Sequence, residues 1–187
     1  MIAQRHVVSV NYVWQVPGSH WSNKAMHAVL DNWSIAGTTS FRGGTPSGVS
    51  FSTTDSADIT GGGDGSRIVV TCDPNLPRSE RSFTRWFNTS CFARPAVGDE
   101  GNAGRAVIRL PGSNSTDLSV TKTVLDNRRR GLEFRVELYN AFNQVIWTSV
   151  NTVARFDTTG AQINAQFGQV TAAANPRIGQ LGLRFVF

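Results

Sequence analysis

Few residues in this chain have the type and spacing that chemistry requires. The densest set is Glu133, Arg135 and Glu137, alternate positions of Leu132-Glu-Phe-Arg-Val-Glu-Leu-Tyr139. An extended strand puts all three on one face, with the two carboxylates roughly 13 Å apart by strand rise. That is far for a general acid–base pair, and Arg135 between them makes a charge ladder on a wall. His6, His20 and His27 show no metal-ligand spacing with cysteine or carboxylate. The run Gly61-Gly62-Gly63-Asp64-Gly65 lacks a following Lys-Ser/Thr, so it reads as flexible loop and not as a phosphate cradle. There is no Gly-x-Ser-x-Gly elbow. Neither an enzyme nor a cofactor is expected. Cys72 and Cys91 fall in the least regular part of the chain. An even count in loop sequence fits a disulfide in an oxidising compartment, with two unpaired thiols as the other reading. Asn32, Asn88 and Asn114 begin glycosylation sequons, expected by chance in a Ser/Thr-rich chain.

A length of 187 residues suffices for one domain with a core, yet 18 glycines and only 17% charged residues are unusual for one. The net charge of +5 raises nucleic-acid binding. The one dense run, Arg128-Arg129-Arg130, has no interleaved aromatics and lies between two strand patterns, so it reads as a solvated turn. No nucleic-acid partner is expected. No apolar run approaches the roughly 18 residues of a transmembrane helix. Met1 leads straight into Gln4-Arg5-His6 without a signal-peptide pattern. The chain is therefore expected to be the C-terminal piece of something longer.

The elements that would carry these residues are strands. Strict alternation appears near 5–16, 33–42, 115–125, 132–140 and 177–187. In the last, Leu181, Leu183, Phe185 and Phe187 share one face, and Gln180, Gly182, Arg184 and Val186 the other. In the third, Leu118, Val120 and Val124 oppose Asp117, Ser119, Thr121 and Thr123, and Lys122 interrupts the apolar face at a place from which it could snorkel to head groups. Asp126-Asn127 reads as the start of a short turn. A helical turn is expected around Lys24–Leu30, and Arg67–Thr71 could extend a hairpin. Segments 43–114 and 141–176 read as long irregular loops, with a turn at Phe156–Gly160. Short alternating segments with long connections are the signature of a transmembrane barrel. A soluble β-sandwich gives the same coarse pattern. Glu133, Arg135, Glu137 and Arg184 would be costly in a sandwich core but ordinary on the wet interior wall of a large barrel.

The terminal strand, ending on Phe187, looks like the closing strand of an outer-membrane barrel, where such an ending forms part of the assembly signal with Leu183 and Phe185. Gly101-Asn-Ala-Gly-Arg105, Leu110-Pro-Gly112 and Asn114-Ser-Thr-Asp-Leu-Ser-Val-Thr-Lys122 resemble the late barrel of TonB-dependent outer-membrane receptors. Glu133-Phe-Arg-Val-Glu-Leu-Tyr-Asn-Ala-Phe-Asn143 is similar to their penultimate strand and its Asn-x-Phe-Asn corner. Asn151–Asp157 and Phe167-Gly-Gln-Val170 resemble the Oar-like subgroup. The resemblance covers residues 100–187 well and 5–42 loosely. It implies an all-β fold, an antiparallel meander of about five long strands forming the C-terminal part of a transmembrane β-barrel. It implies residence in the outer membrane of a Gram-negative bacterium, with 43–114 and 141–176 as outer loops. Implied partners are outer-membrane lipid, the barrel-assembly machinery, an N-terminal plug and further strands absent from this sequence, and TonB acting through that missing part. The implied function is uptake of a scarce ligand, with the fragment inactive alone. The alternative is a secreted β-sandwich module that binds glycan or protein through its loops.

Overall fold

The computed structural model describes residues 4–18, 24–61, 65–127 and 130–186. In chain order the elements are β1 (Val7–Gln15), α1 (Lys24–Leu30), β2 (Trp33–Arg42), β3 (Pro46–Ser47), β4 (Ser50–Thr53), β5 (Val69–Val70), β6 (Phe92–Ala93) and β7 (Ile108–Arg109). There follow β8 (Ser113–Asn127), β9 (Arg130–Tyr139), β10 (Trp147–Val150), β11 (Val153–Phe156), β12 (Val170–Ala173) and β13 (Ile178–Val186). The expected helical turn is α1. Contacts divide the chain into two compact units.

The sheet unit comprises His6–Arg42, Ser113–Ile146 and Asn175–Phe187. Its sheet has the order β1-β2-β8-β9-β13, and every neighbouring pair is antiparallel, so the long strands form a meander. Alternation in each strand, carried through the register, yields two chemically distinct faces. One row runs Trp14, Ile35, Val120, Val136, Leu181, and the next row on that face runs Tyr12, Gly37, Leu118, Leu138, Gly179. Tyr12 lies over Gly37, where a Cβ would come within 2.6 Å of the ring, so the aromatic covers the gap that the glycine leaves. The opposite face carries Val13, Ala36, Ser119, Glu137, Gln180 and then Gln15, Ser34, Thr121, Arg135, Gly182.

Two expectations for β8 need correction. The register shifts between Thr123 and Leu125, so the backbone partner of Leu132 is Leu125, not Val124. A bulge inserts one residue and breaks strict alternation, which a period-2 reading cannot see. Asp126 and Asn127 are strand residues paired with Gly131 and Arg130, not the start of a turn. Arg128 and Arg129, read as a solvated turn, lie outside the described residues.

The loop unit comprises Met1–Arg5, Gly43–Gly112 and Trp147–Ala174. The long connections are irregular, with strands of only two to four residues, but they are not structureless. The two long connections fold together around one core of Val49, Ile68, Trp86, Phe87, Phe92, Ala103, Ile108, Val150, Ala154, Phe156, Phe167 and Val170. Phe87, Phe92 and Phe167 meet edge to face with centroids 5.2–5.7 Å apart. Pairing crosses between the connections: β4 runs parallel to β11, while the Phe83 carbonyl accepts from Val170 N–H and Trp86 N–H donates to the Gly168 carbonyl. Arg67–Thr71 does enter a hairpin, as β5 against β6. Local pattern could not reveal this unit, because its strands are only two to four residues long and their partners are distant in sequence.

Candidate functional site

The polar face of the sheet unit is built on β9. Arg135 sits between its two carboxylates, 2.9 Å from Glu133 and 3.7 Å from Glu137. The Tyr139 hydroxyl donates to Glu137 at 3.3 Å. On the neighbouring strand Arg184 stands opposite Glu133, while Gly182 opposes Arg135 and puts no side chain there. The result is a shallow hollow lined by Glu133, Arg135, Glu137, Gln180, Gly182 and Arg184. The pairs are partly exposed, and such pairs contribute only about 0–1 kcal/mol each. They make the face hydrophilic and do little to hold the fold together.

The apolar face carries Leu183 opposite Phe134 and Phe185 opposite Leu132. Phe187, the third residue assigned to the assembly signal, lies outside the described residues. Lys122 is the one cation in these rows among the described residues, and it reaches toward the end of β2. Its ammonium is buried, donates to the Asp31 carbonyl and lies 5.3 Å from the centroid of the Trp33 ring. A backbone acceptor and an aromatic face take the place of water for this charge.

The end of β9 is fixed by the Asn140-Ala-Phe-Asn143 corner. Asn140 and Asn143 adopt φ of 50° and 51°, a region that asparagine tolerates better than most residues. The Asn140 amide donates to the Gln144 and Asn175 carbonyls, and its oxygen accepts from Gln144 N–H. Its backbone N–H donates to Asp117 of β8, and Asn143 accepts from Arg177 N–H just before β13. One corner thus sets the register of three strands.

In the loop unit, Cys72 and Cys91 form a disulfide with Cα atoms 5.0 Å apart. The glycine-rich motif also has a defined task. Gly101 has φ of 72°, and an added Cβ there would overlap the Arg67 carbonyl. Asn102 accepts from Val70 N–H at 2.6 Å and donates to the Val70 carbonyl at 3.0 Å, so its side chain pairs with the free edge of β5 as a strand would. Arg94 clamps two turns, donating to Asp55 at 2.9 Å and to the Asp157 carbonyl at 2.6 Å. The Arg94 guanidinium holds the Asp55 carboxyl down to about 2. Asp157 is lowered too, first by the Thr159 hydroxyl and then by the Ala161 N–H. Sequence reading missed this clamp, and no spacing signal points to it, because its three members are far apart in the chain.

Among the described residues no cluster of histidine, cysteine or carboxylate could hold a metal ion. An open sheet with one apolar and one polar face, and a corner pinned by asparagine, agrees with the match of a family described as Outer membrane beta barrel domain to residues 2–180. The chain belongs to this family. It is an outer-membrane β-barrel protein of all-β fold, and its five long strands are a section of barrel wall. No curated protein matches the chain, and no solved structure matches it.

Proposed function

We propose that this chain forms the C-terminal barrel portion of a TonB-dependent receptor of the Oar-like kind, which takes up a scarce ligand across the outer membrane of a Gram-negative bacterium. The observation that carries this reading is the Glu133–Arg135–Glu137 ladder with Arg184 alongside, on the face opposite Val136 and Leu181. Charges that are paired yet partly exposed suit a water-filled lumen. Small barrels fill their interior with side chains, so the ladder favours a wide one. The apolar face then meets lipid. β1 and β13 are the outer edges of the sheet, and hydrocarbon does not tolerate unpaired edges, so further strands complete the wall. A plug domain, the assembly machinery, which would read Leu183, Phe185 and Phe187, and TonB are the remaining partners of this reading.

The motifs that resemble the receptor family support it through what they do. Gly101–Arg105 closes the β5 edge, the Asn140 corner joins three strands, and Phe156, Phe167 and Val170 supply loop-unit core. In this reading the loop unit lies outside the cell and contacts the ligand, and no catalytic role is assigned to it. The family match favours a membrane protein over the secreted sandwich. The test is binding between the full-length gene product, purified in detergent, and the periplasmic domain of TonB. Saturable binding is expected. Its absence, with the barrel folded, would contradict TonB dependence and leave the outer-membrane assignment standing.

A further inference from the structure

The connection between β1 and β2 leaves its large apolar residues open. On α1, Met26, Val29 and Leu30 fall at i, i+3 and i+4, one face of a helix. They are 36%, 63% and 41% exposed. His27, on the same helix, is itself 44% exposed on its side chain. The Asp31 side chain, only 15% exposed, pairs with His27, and the Asp31 carbonyl takes the Lys122 ammonium. A helix in water hides its apolar side and solvates its polar one. The Met26–Val29–Leu30 face is instead left open, as the apolar face of the sheet is. It is also continuous with the sheet's apolar face, because Trp33, which opens a row running Lys122, Phe134, Leu183, donates its indole N–H to the Val29 carbonyl at 2.8 Å.

We infer that α1 is a membrane-interface anchor, its Met26–Val29–Leu30 face seated at the boundary between head groups and acyl chains of the leaflet at the β1–β2 turn. An amphipathic helix lying in that plane buries its apolar side by a few ångströms, and tryptophan beside it favours the same depth. Lys122 serves this arrangement as an internal tie. Its ammonium is taken up by the Asp31 carbonyl and the Trp33 ring and so is not left bare on the lipid face. The inference rests on the reading that the apolar sheet face meets lipid, and not on TonB dependence.

The test uses full-length protein in phosphatidylethanolamine/phosphatidylglycerol liposomes, with a nitroxide on Val29→Cys, Leu181→Cys or Val97→Cys. Folding of each is checked by heat-modifiable gel mobility. Collision with oxygen reports lipid, and collision with a water-soluble nickel chelate reports water. Val97, 80% exposed in the loop unit, supplies the aqueous reference. Expected is a loss of nickel access at Val29 relative to Val97, with oxygen access close to that at Leu181. A Val29 label as open to nickel as Val97, beside a lipid-exposed Leu181 label, would overturn the anchor alone. Water exposure at both Val29 and Leu181 would overturn the lipid-facing reading itself. A Val29 label immobilised and shielded from both reagents would mean a protein partner and would equally overturn the anchor. In unmutated protein, a lipid with a head-group-level diazirine should label the peptide 24–33, and absence of that adduct would count against it.

Discussion

In the loop unit Phe87 and Phe156 are 1% exposed, whereas in the sheet unit Leu181 is 81% and Leu183 66% exposed. The contrast runs through both. Every residue of the buried apolar cluster belongs to the loop unit. In the sheet unit the buried residues, among those described, are Ala141 and the polar Thr116, Lys122 and Asn140. Water-folded chains collect apolar side chains inside, and large contiguous apolar surfaces on them mark contact with something else. One sequence therefore carries two opposite burial rules, each suited to a different solvent.

The largest difference should come from truncating an aromatic in each unit. Phe156→Ala leaves a cavity in the loop core and should cost about 3–5 kcal/mol. Phe134→Ala on the outward apolar face leaves no cavity and should cost clearly less. Denaturant titration of the full-length protein in detergent, read by tryptophan fluorescence, measures both. Equal costs would remove the contrast.

Next in size is the disulfide. Cys72 and Cys91 are 19 residues apart, and closing a loop of that size contributes about 3 kcal/mol in the chain-entropy account. Cys72→Ser should lower the loop-unit midpoint and leave heat-modifiable barrel mobility intact. A shift of both together would mean that the two units do not unfold separately.

Gly101→Ala comes third. Its left-handed backbone alone makes a side chain cost about 1–3 kcal/mol, and overlap with Arg67 adds to that. Gly160→Ala is the control, because Gly160 has φ of 86° with nothing within 4 Å of the added Cβ. The Gly101 variant should be the less stable of the two. The reverse order would show that the 100–103 segment does not pack on Arg67.

The smallest effect is electrostatic. The folded Asp55 carboxyl is depressed from 3.8 to about 2, so its stabilising contribution is present above pH ~4 and is lost as pH falls through about 2. Loop-unit stability should decline across that window, and Asp55→Asn should flatten part of the decline. Asp157 and Asp73, also lowered, retain the rest. An unchanged acid slope in Asp55→Asn would show that Arg94 does not hold this turn.

The sheet was legible in the sequence because it obeys a local rule. β2 occupies 33–42 as alternation indicates, and β9 puts Glu133, Arg135 and Glu137 on one face. The rule failed where the backbone changed period, at the 123–125 bulge. The loop unit was hidden because its order is non-local: β4 meets β11 across a hundred residues. One signal was available. Trp86-Phe87, Phe92, Trp147, Phe156 and Phe167 are too many large apolar residues for solvated loops.

The two faces of β9 should meet different solvents, and the most direct test alters one residue on each. Val136→Arg places a charge on the apolar face, where mid-bilayer charge costs roughly 2–4 kcal/mol. Glu137→Gln keeps shape and polarity on the charged face. Folding yield of the full-length protein into liposomes, read by heat-modifiable mobility, should fall sharply for Val136→Arg and stay near wild type for Glu137→Gln. Equal yields for the two variants would mean that the alternation of β9 does not separate lipid from water.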